Sequence, residues 1–212
     1  KSITIDRTKI ANPAGALPIA FDALSSDQTP DTGASSLSWS HTVGSGSEGI
    51  VIVSVSTRTG ATINSVTFGG TDITGNLVGS ALYSGYSAVY MYYLKNPSEG
   101  DNTVEVTQSG IVRFVGAATA FFNVDQTTPL GTFAPNTGSG TAPSVTVANA
   151  SGDVVVAVGG CVHQRHQRDD DHLATRERMR GIARIEKRSN HTKIAIVIAA
   201  STPAAGLRAL RL

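Results

Sequence analysis

The sequence predicts an all-β fold: an antiparallel two-sheet β-sandwich, jelly-roll-like, over residues 1–160, followed by an atypical basic tail over residues 161–212. Three observations predict it. Runs rich in β-branched and aromatic residues recur every 10 to 15 residues, separated by Gly, Pro, Asn, Asp and Ser. No amphipathic helical pattern lies between them, which argues against parallel strands joined by crossover helices. Composition also breaks at residue 160. The first 160 residues hold every aromatic residue (6 Phe, 5 Tyr and 1 Trp), 20 of the 22 glycines, 6 Lys+Arg and 11 Asp+Glu. The last 52 hold no aromatic residue, 2 glycines, 11 Lys+Arg, 5 Asp+Glu and four of the five histidines.

In chain order, Ser2–Ile5 (SITI) alternates with period two and suits a short strand, and Pro18–Ala23 (PIAFDA) follows a Gly/Pro loop. Ser25–Ser35 (SSDQTPDTGAS) consists of turn formers and reads as an exposed loop. Strands are then expected at Leu37–Val43, Ile50–Ser56, Ile63–Phe68, Ala88–Leu94, Thr103–Thr107, Val112–Phe122, Ser144–Val147 and Asp153–Val158. Gly44-Ser45-Gly46, Gly69-Gly70, Asn96-Pro97, Gly100-Asp101, Ser109-Gly110 and the run from Pro135 to Pro143 mark the turns. IVIVSVS and DVVVAV alternate large apolar with smaller residues, as an inner sheet face requires when two sheets stack about 10 Å apart. Trp39, Phe68, Tyr90, Tyr92 and Phe122 are the expected core aromatics.

The tail follows other rules. Asp171–Arg188 has helix formers and an Asp placed to cap, but a sparse apolar stripe; Ile194–Ala200 (IAIVIAA) suits one last strand. A helix plus a last strand is one reading of residues 161–212. The other is a shifted reading frame: with codons CAC-CAG-CGT-GAC-GAC-GAC-CAC for His166–His172, reading one base later yields Thr-Ser-Val-Thr-Thr-Thr. Residues 161–190 carry few large apolar groups to offset the entropy of ordering them, so deletion after residue 160 is expected to cost little stability.

Charged residues make up only 16% of the chain. The net charge of +1 averages −5 (6 basic against 11 acidic) before the break with +6 (11 against 5) after it. Six scattered basic residues in the β part argue against nucleic-acid binding. One cysteine, Cys161, excludes an internal disulfide framework. No run of 18 apolar residues exists, so no helical membrane span is expected. The sequence opens on a strand-like segment without a signal peptide, which is expected to have been removed or to lie outside it.

The segments PIAFDA, SLSWSHTVGSGSEGIVIVSVS, INSVTFGGTDIT, YMYYLKNPSEGDNTVEVTQSG, FFNVDQTTPLGT and PSVTVANASGDVVV share an order and spacing. Through them the chain, from Pro18 to about Gly160, resembles a bacterial β-sandwich accessory module of large secreted and cell-surface proteins. SITIDRTKI is similar to the opening strand of other surface modules. The resemblance implies binding, adhesion or domain spacing without a catalytic site. It also implies an extracellular or cell-surface location, and as partners a cell-surface or polysaccharide ligand or further domains of a larger protein. Two alternatives remain: a virion or filament structural protein, since jelly rolls also build assemblies, and a small carbohydrate-active enzyme.

Several residue constellations carry chemistry in principle. Tyr83, Tyr86, Tyr90, Tyr92 and Tyr93 cluster, and outward-facing members would stack on sugar rings; half-buried packing is the plainer reading. Asp31-Thr32-Gly33-Ala34-Ser35 matches an aspartic-protease signature, but that chemistry needs a second facing carboxylate; no second Asp-Thr-Gly or Asp-Ser-Gly exists in the chain, so a homodimer would have to supply it, and a turn-rich loop is the plainer reading. Cys161, His163, His166, Asp169, Asp170, Asp171 and His172 are metal-type ligands, with His163 and His166 the candidates for Zn or Ni. Asp72, Asp101, Glu105, Asp125 and Asp153 are the carboxylates of glycosidase or Ca2+ chemistry; Asp125 in NVDQTTP is the Ca2+ candidate, and no other cofactor is expected. His41, beside Ser40, shares parity with Leu37 and Trp39 and is expected to be packed rather than part of a triad.

Overall fold

A computed structural model describes residues 17–58, 60–83, 87–138, 145–148, 152–161, 185–187 and 194–201. Its strands are β1 (Ala20–Gln28), β2 (Ala34–Val43), β3 (Ile50–Arg58), β4 (Ile63–Phe68), β5 (Thr71–Asp72), β6 (Leu77–Tyr83), β7 (Ser87–Lys95), β8 (Gly100–Val112), β9 (Phe114–Phe122), β10 (Leu130–Gly138), β11 (Val154–Cys161), β12 (Ile185–Lys187) and β13 (Ile194–Ser201). Two antiparallel sheets form the sandwich. The first has the order β1-β9-β3-β7-β6 and the second β2-β8-β4-β5. From β1 to β4 the chain changes sheet at every step, and β9 and β8 return between β1 and β3 and between β2 and β4. This nesting is the jelly-roll order, with β6 as an extra edge strand.

Period-two patterning explains how the sheets face each other. On β2, Leu37, Trp39, His41 and Val43 point inward and Ser36, Ser38, Ser40 and Thr42 outward. On β8, Asn102, Val104, Val106 and Gln108 are buried while Asp101, Thr103 and Glu105 are exposed. Opposite them, β3 contributes Val51, Val53 and Val55, β7 contributes Tyr92, and β9 contributes Ala118 and Ala120. Trp39 is 8% exposed and reaches across to β9, where a Cβ on Gly116 would overlap the indole. Phe68 and Tyr92 are buried as expected, and Tyr90 and Phe122 are partly buried against this core.

The first sheet is covered on its other face as well. Ile50, Ile52, Val89, Met91 and Phe121 form a second cluster with Val154 and Val156 of β11, against which Leu130 and Phe133 of β10 pack. β10 and β11 belong to a third sheet of order β10-β13-β11-β12. In it β13 runs parallel to both neighbours, and β12 is antiparallel to β11. IVIVSVS therefore departs from the one-sided alternation read from sequence. Its two parities feed two different cores, as in a strand buried on both faces.

Other departures have local causes. Ser25–Gln28 is strand rather than loop, because β1 continues along the small residues Gly116, Ala117 and Ala118 of β9. The turn is confined to residues 29–33, closed by the Gly33 N–H donating to the Pro30 carbonyl at 2.8 Å with Gly33 at φ 80°. Leu77–Tyr83 forms β6 although LVGSALY has no clear period. Leu130–Gly138 forms β10 across the expected turn start, and Pro135 is tolerated because β10 is an edge strand. Residues 145–148 are irregular. In the tail, Ile194–Ser201 is a strand, and Ile185–Lys187, the end of the segment read as helical, is a strand too. The rest of that segment, and Ser2–Ile5, lie outside the described residues.

Candidate functional site

The four described tyrosines of the cluster divide between the two faces of the first sheet. Tyr90 and Tyr92 face the core between the two antiparallel sheets, and Tyr92 is 4% exposed. Burial, with a smaller contribution from Tyr90, pushes the Tyr92 hydroxyl up to about 12. Tyr83 and Tyr93 are half-buried on the opposite face, against the second core. Tyr86, like His163 and His166, lies outside the described residues. Each of the four tyrosines described packs against one of the two cores, Tyr92 buried and Tyr83, Tyr90 and Tyr93 partly so.

Asp31 sits in the β1–β2 turn with its side chain 81% exposed, 3.2 Å from the Arg113 guanidinium. Arg113 Nε also donates to the Asp31 carbonyl at 2.6 Å, so the Asp-Thr-Gly sequence serves the turn. Asp125 accepts the Thr127 N–H and the Thr128 hydroxyl, each at 2.8 Å. These two bonds, the backbone one first, hold its carboxyl below the usual range. Asp72 is lowered in the same way by the Thr74 hydroxyl and N–H. Among the described residues no three His, Cys, Asp or Glu side chains are grouped as a metal site.

His41 is packed, 1% exposed, with its ring edge-on to Phe68 at 5.9 Å. Its partner is Ser25 of β1, whose Oγ lies 2.8 Å from His41 Nδ1 and accepts the Trp39 indole N–H at 3.0 Å. Burial lowers the histidine below its ordinary 6.5, against a smaller opposing influence of Asp22. The neighbouring Ser40 faces outward.

The outward face of the β2-β8-β4-β5 sheet is where solvent-facing polar chemistry gathers. The strand register aligns Ser36, Thr107 and Ser65 in one row across the sheet. It aligns Ser38, Glu105, Thr67 and Asp72 in the next, followed by Ser40 with Thr103 and Thr42 with Asp101. Ser65 and Thr107 share a hydrogen bond of 2.6 Å, and the Thr42 hydroxyl donates to Asp101 at 2.5 Å. Along each strand such positions repeat at about 6.7 Å, and between strands at about 4.8 Å. Hydroxyls both donate and accept, and carboxylates accept, so these rows can hydrogen-bond a polyhydroxylated partner. None of these outward positions carries a Lys or Arg.

The alternation along SLSWSHTV that marks Leu37, Trp39 and His41 as inward also names the outward Ser and Thr residues, and TVEVT follows the same alternation. What places β8 between β2 and β4 is pairing between residues far apart in the chain, such as Ser38 with Glu105 and Thr67 with Glu105, which no local pattern reveals. In comparisons with family models, curated proteins and solved structures, no match to the chain was found.

Proposed function

We propose that the chain is a non-catalytic, extracellular β-sandwich module that binds a glycan or similarly hydroxylated surface through the outward face of its β2-β8-β4-β5 sheet. One observation carries the reading: Ser36, Ser38, Ser40, Thr42, Thr103, Glu105 and Asp101 all stand exposed on adjacent strands. Each hydrogen bond exchanged with water there contributes about 1 kcal/mol or less, so useful binding requires many at once, on a flat or repeating ligand. The dense core behind the face keeps the rows in register and lowers the cost of ordering them on binding. Glycan arrays and whole-cell pull-downs test the reading with a Ser38→Ala/Thr103→Ala/Glu105→Gln variant. Weak binding by the wild type that is lost in this variant is expected.

A virion or filament structural protein is the second reading. It is favoured by the jelly-roll strand order together with Phe21 and Leu24, each 51% exposed on edge strand β1. Solution mass separates the two, since a monodisperse monomer favours the accessory module and a large symmetric assembly the structural protein.

A further inference from the structure

β1 and β2 are edge strands of facing sheets, with no backbone ladder between them. Three side chains span the corner. The Trp39 indole N–H donates to Ser25 Oγ, and with His41 neutral the arrangement that leaves the fewest polar atoms unmet has the Ser25 hydroxyl donating to His41 Nδ1. That arrangement sets His41 as the neutral tautomer with its proton on Nε2, an atom that is buried and has no hydrogen-bond partner. The surrounding groups give a cation little help. Phe68 of β4 presents a ring, and Asn102 of β8, paired with His41 in the register, turns its amide NH2 to the Ser98 and Gly100 carbonyls and makes no hydrogen bond with His41 Nε2. Asp22 of β1 is the charged group facing the imidazole, and it accepts the Gly44 N–H at 2.9 Å.

We propose that Trp39, Ser25 and His41 form an acid-operated clasp that closes the sandwich at the β1–β2 corner when His41 is neutral and opens it when His41 is protonated. Adding a proton at Nδ1 turns the acceptor of the Ser25 hydroxyl into a donor. Ser25 must then receive both Trp39 and His41 while its own proton loses its partner. The second imidazolium N–H stays buried without an acceptor. Opening the corner hydrates the cation and frees the β1 edge. The sign follows from burial: the folded chain binds this proton less readily than the unfolded chain. The clasp is therefore closed above the ordinary histidine value of 6.5 and loosens as pH falls below it.

Trp39 is the only tryptophan, so indole emission reads the clasp directly. Between pH 8 and 5 the full chain is expected to show a reversible red shift and increased acrylamide quenching, with a midpoint below 6.5. In His41→Gln, which keeps a neutral acceptor for Ser25, the response should vanish. A transition that persists in His41→Gln, or a wild-type emission flat down to pH 5, overturns the proposal. Should that variant fail to fold, NMR on the wild type decides. A His41 ring and a Trp39 indole N–H titrating together support the clasp, and an indole resonance that ignores His41 overturns it.

Discussion

Trp39 on β2 fills the space left by the missing side chain of Gly116 on β9, and this contact joins the two antiparallel sheets beside the β1–β2 corner. Gly116→Ala would drive a methyl group into the indole and is expected to cost about 1–3 kcal/mol, as overpacking of a dense core does. Gly75→Ala is the control, because a Cβ there meets nothing within 4 Å. Urea unfolding should place it within about 0.5 kcal/mol of wild type. Equal effects at the two glycines would show that the Trp39 contact is not specific.

Tyr92→Ala separates packing from ligand stacking. Removing this buried ring is expected to lower stability by about 3–5 kcal/mol, as for large aromatic truncations in cores. Ile111→Ala, at 73% exposure, should leave the unfolding midpoint nearly unchanged. In the wild type, ultraviolet titration should include a component from Tyr92 that ionises only near pH 12 and is missing from the Tyr92→Ala variant. A Tyr92→Ala variant of undiminished stability contradicts the inward placement.

Much of this architecture was legible in the residues themselves. SLSWSHTV and TVEVT announce both their inner and outer faces, and Trp39, Phe68 and Tyr92 are core because bulky rings at inward parity have nowhere else to be buried. Other features depend on distant partners. SSDQ is strand only because β9 offers a run of small residues, and IVIVSVS serves two cores only because β10 and β11 cover its outer face. The Ser25–His41 bond joins residues that turn composition alone would assign to a loop and a strand.

Stability should decline on acidification in two windows. His41, lowered by burial, contributes stability that is present above 6.5 and lost as pH falls from 6.5 toward its folded value. A single site changes stability by at most about 1.4 kcal/mol per pH unit. Asp72 and Asp125, lowered by hydrogen bonds from Thr74 and from Thr127 and Thr128, act only below their ordinary 3.8. Urea midpoints measured at pH 8, 6 and 5 should therefore fall in the wild type and stay level in His41→Gln. Parallel curves for the two proteins would assign the upper window to another group.

Deletion of residues 162–212 probes the third sheet. β13 is the hydrogen-bonded neighbour of both β10 and β11. Without it, hydrogen exchange should show lost protection at Leu130–Gly138 and Val154–Cys161 and unchanged protection in β2, β3, β8 and β9. Loss throughout would mean that the sandwich depends on the tail; no change anywhere would mean that β13 contributes nothing to β10 and β11.

Quantitative titration of a polysaccharide selected on the array tests the proposed binding by the outward face of the β2-β8-β4-β5 sheet most directly, using wild type and the Ser38→Ala/Thr103→Ala/Glu105→Gln variant at matched stability. The account predicts weak wild-type binding that falls at least about tenfold in the variant, roughly 1.4 kcal/mol, with an unchanged unfolding midpoint. Equal affinity of the two proteins for that ligand would contradict it.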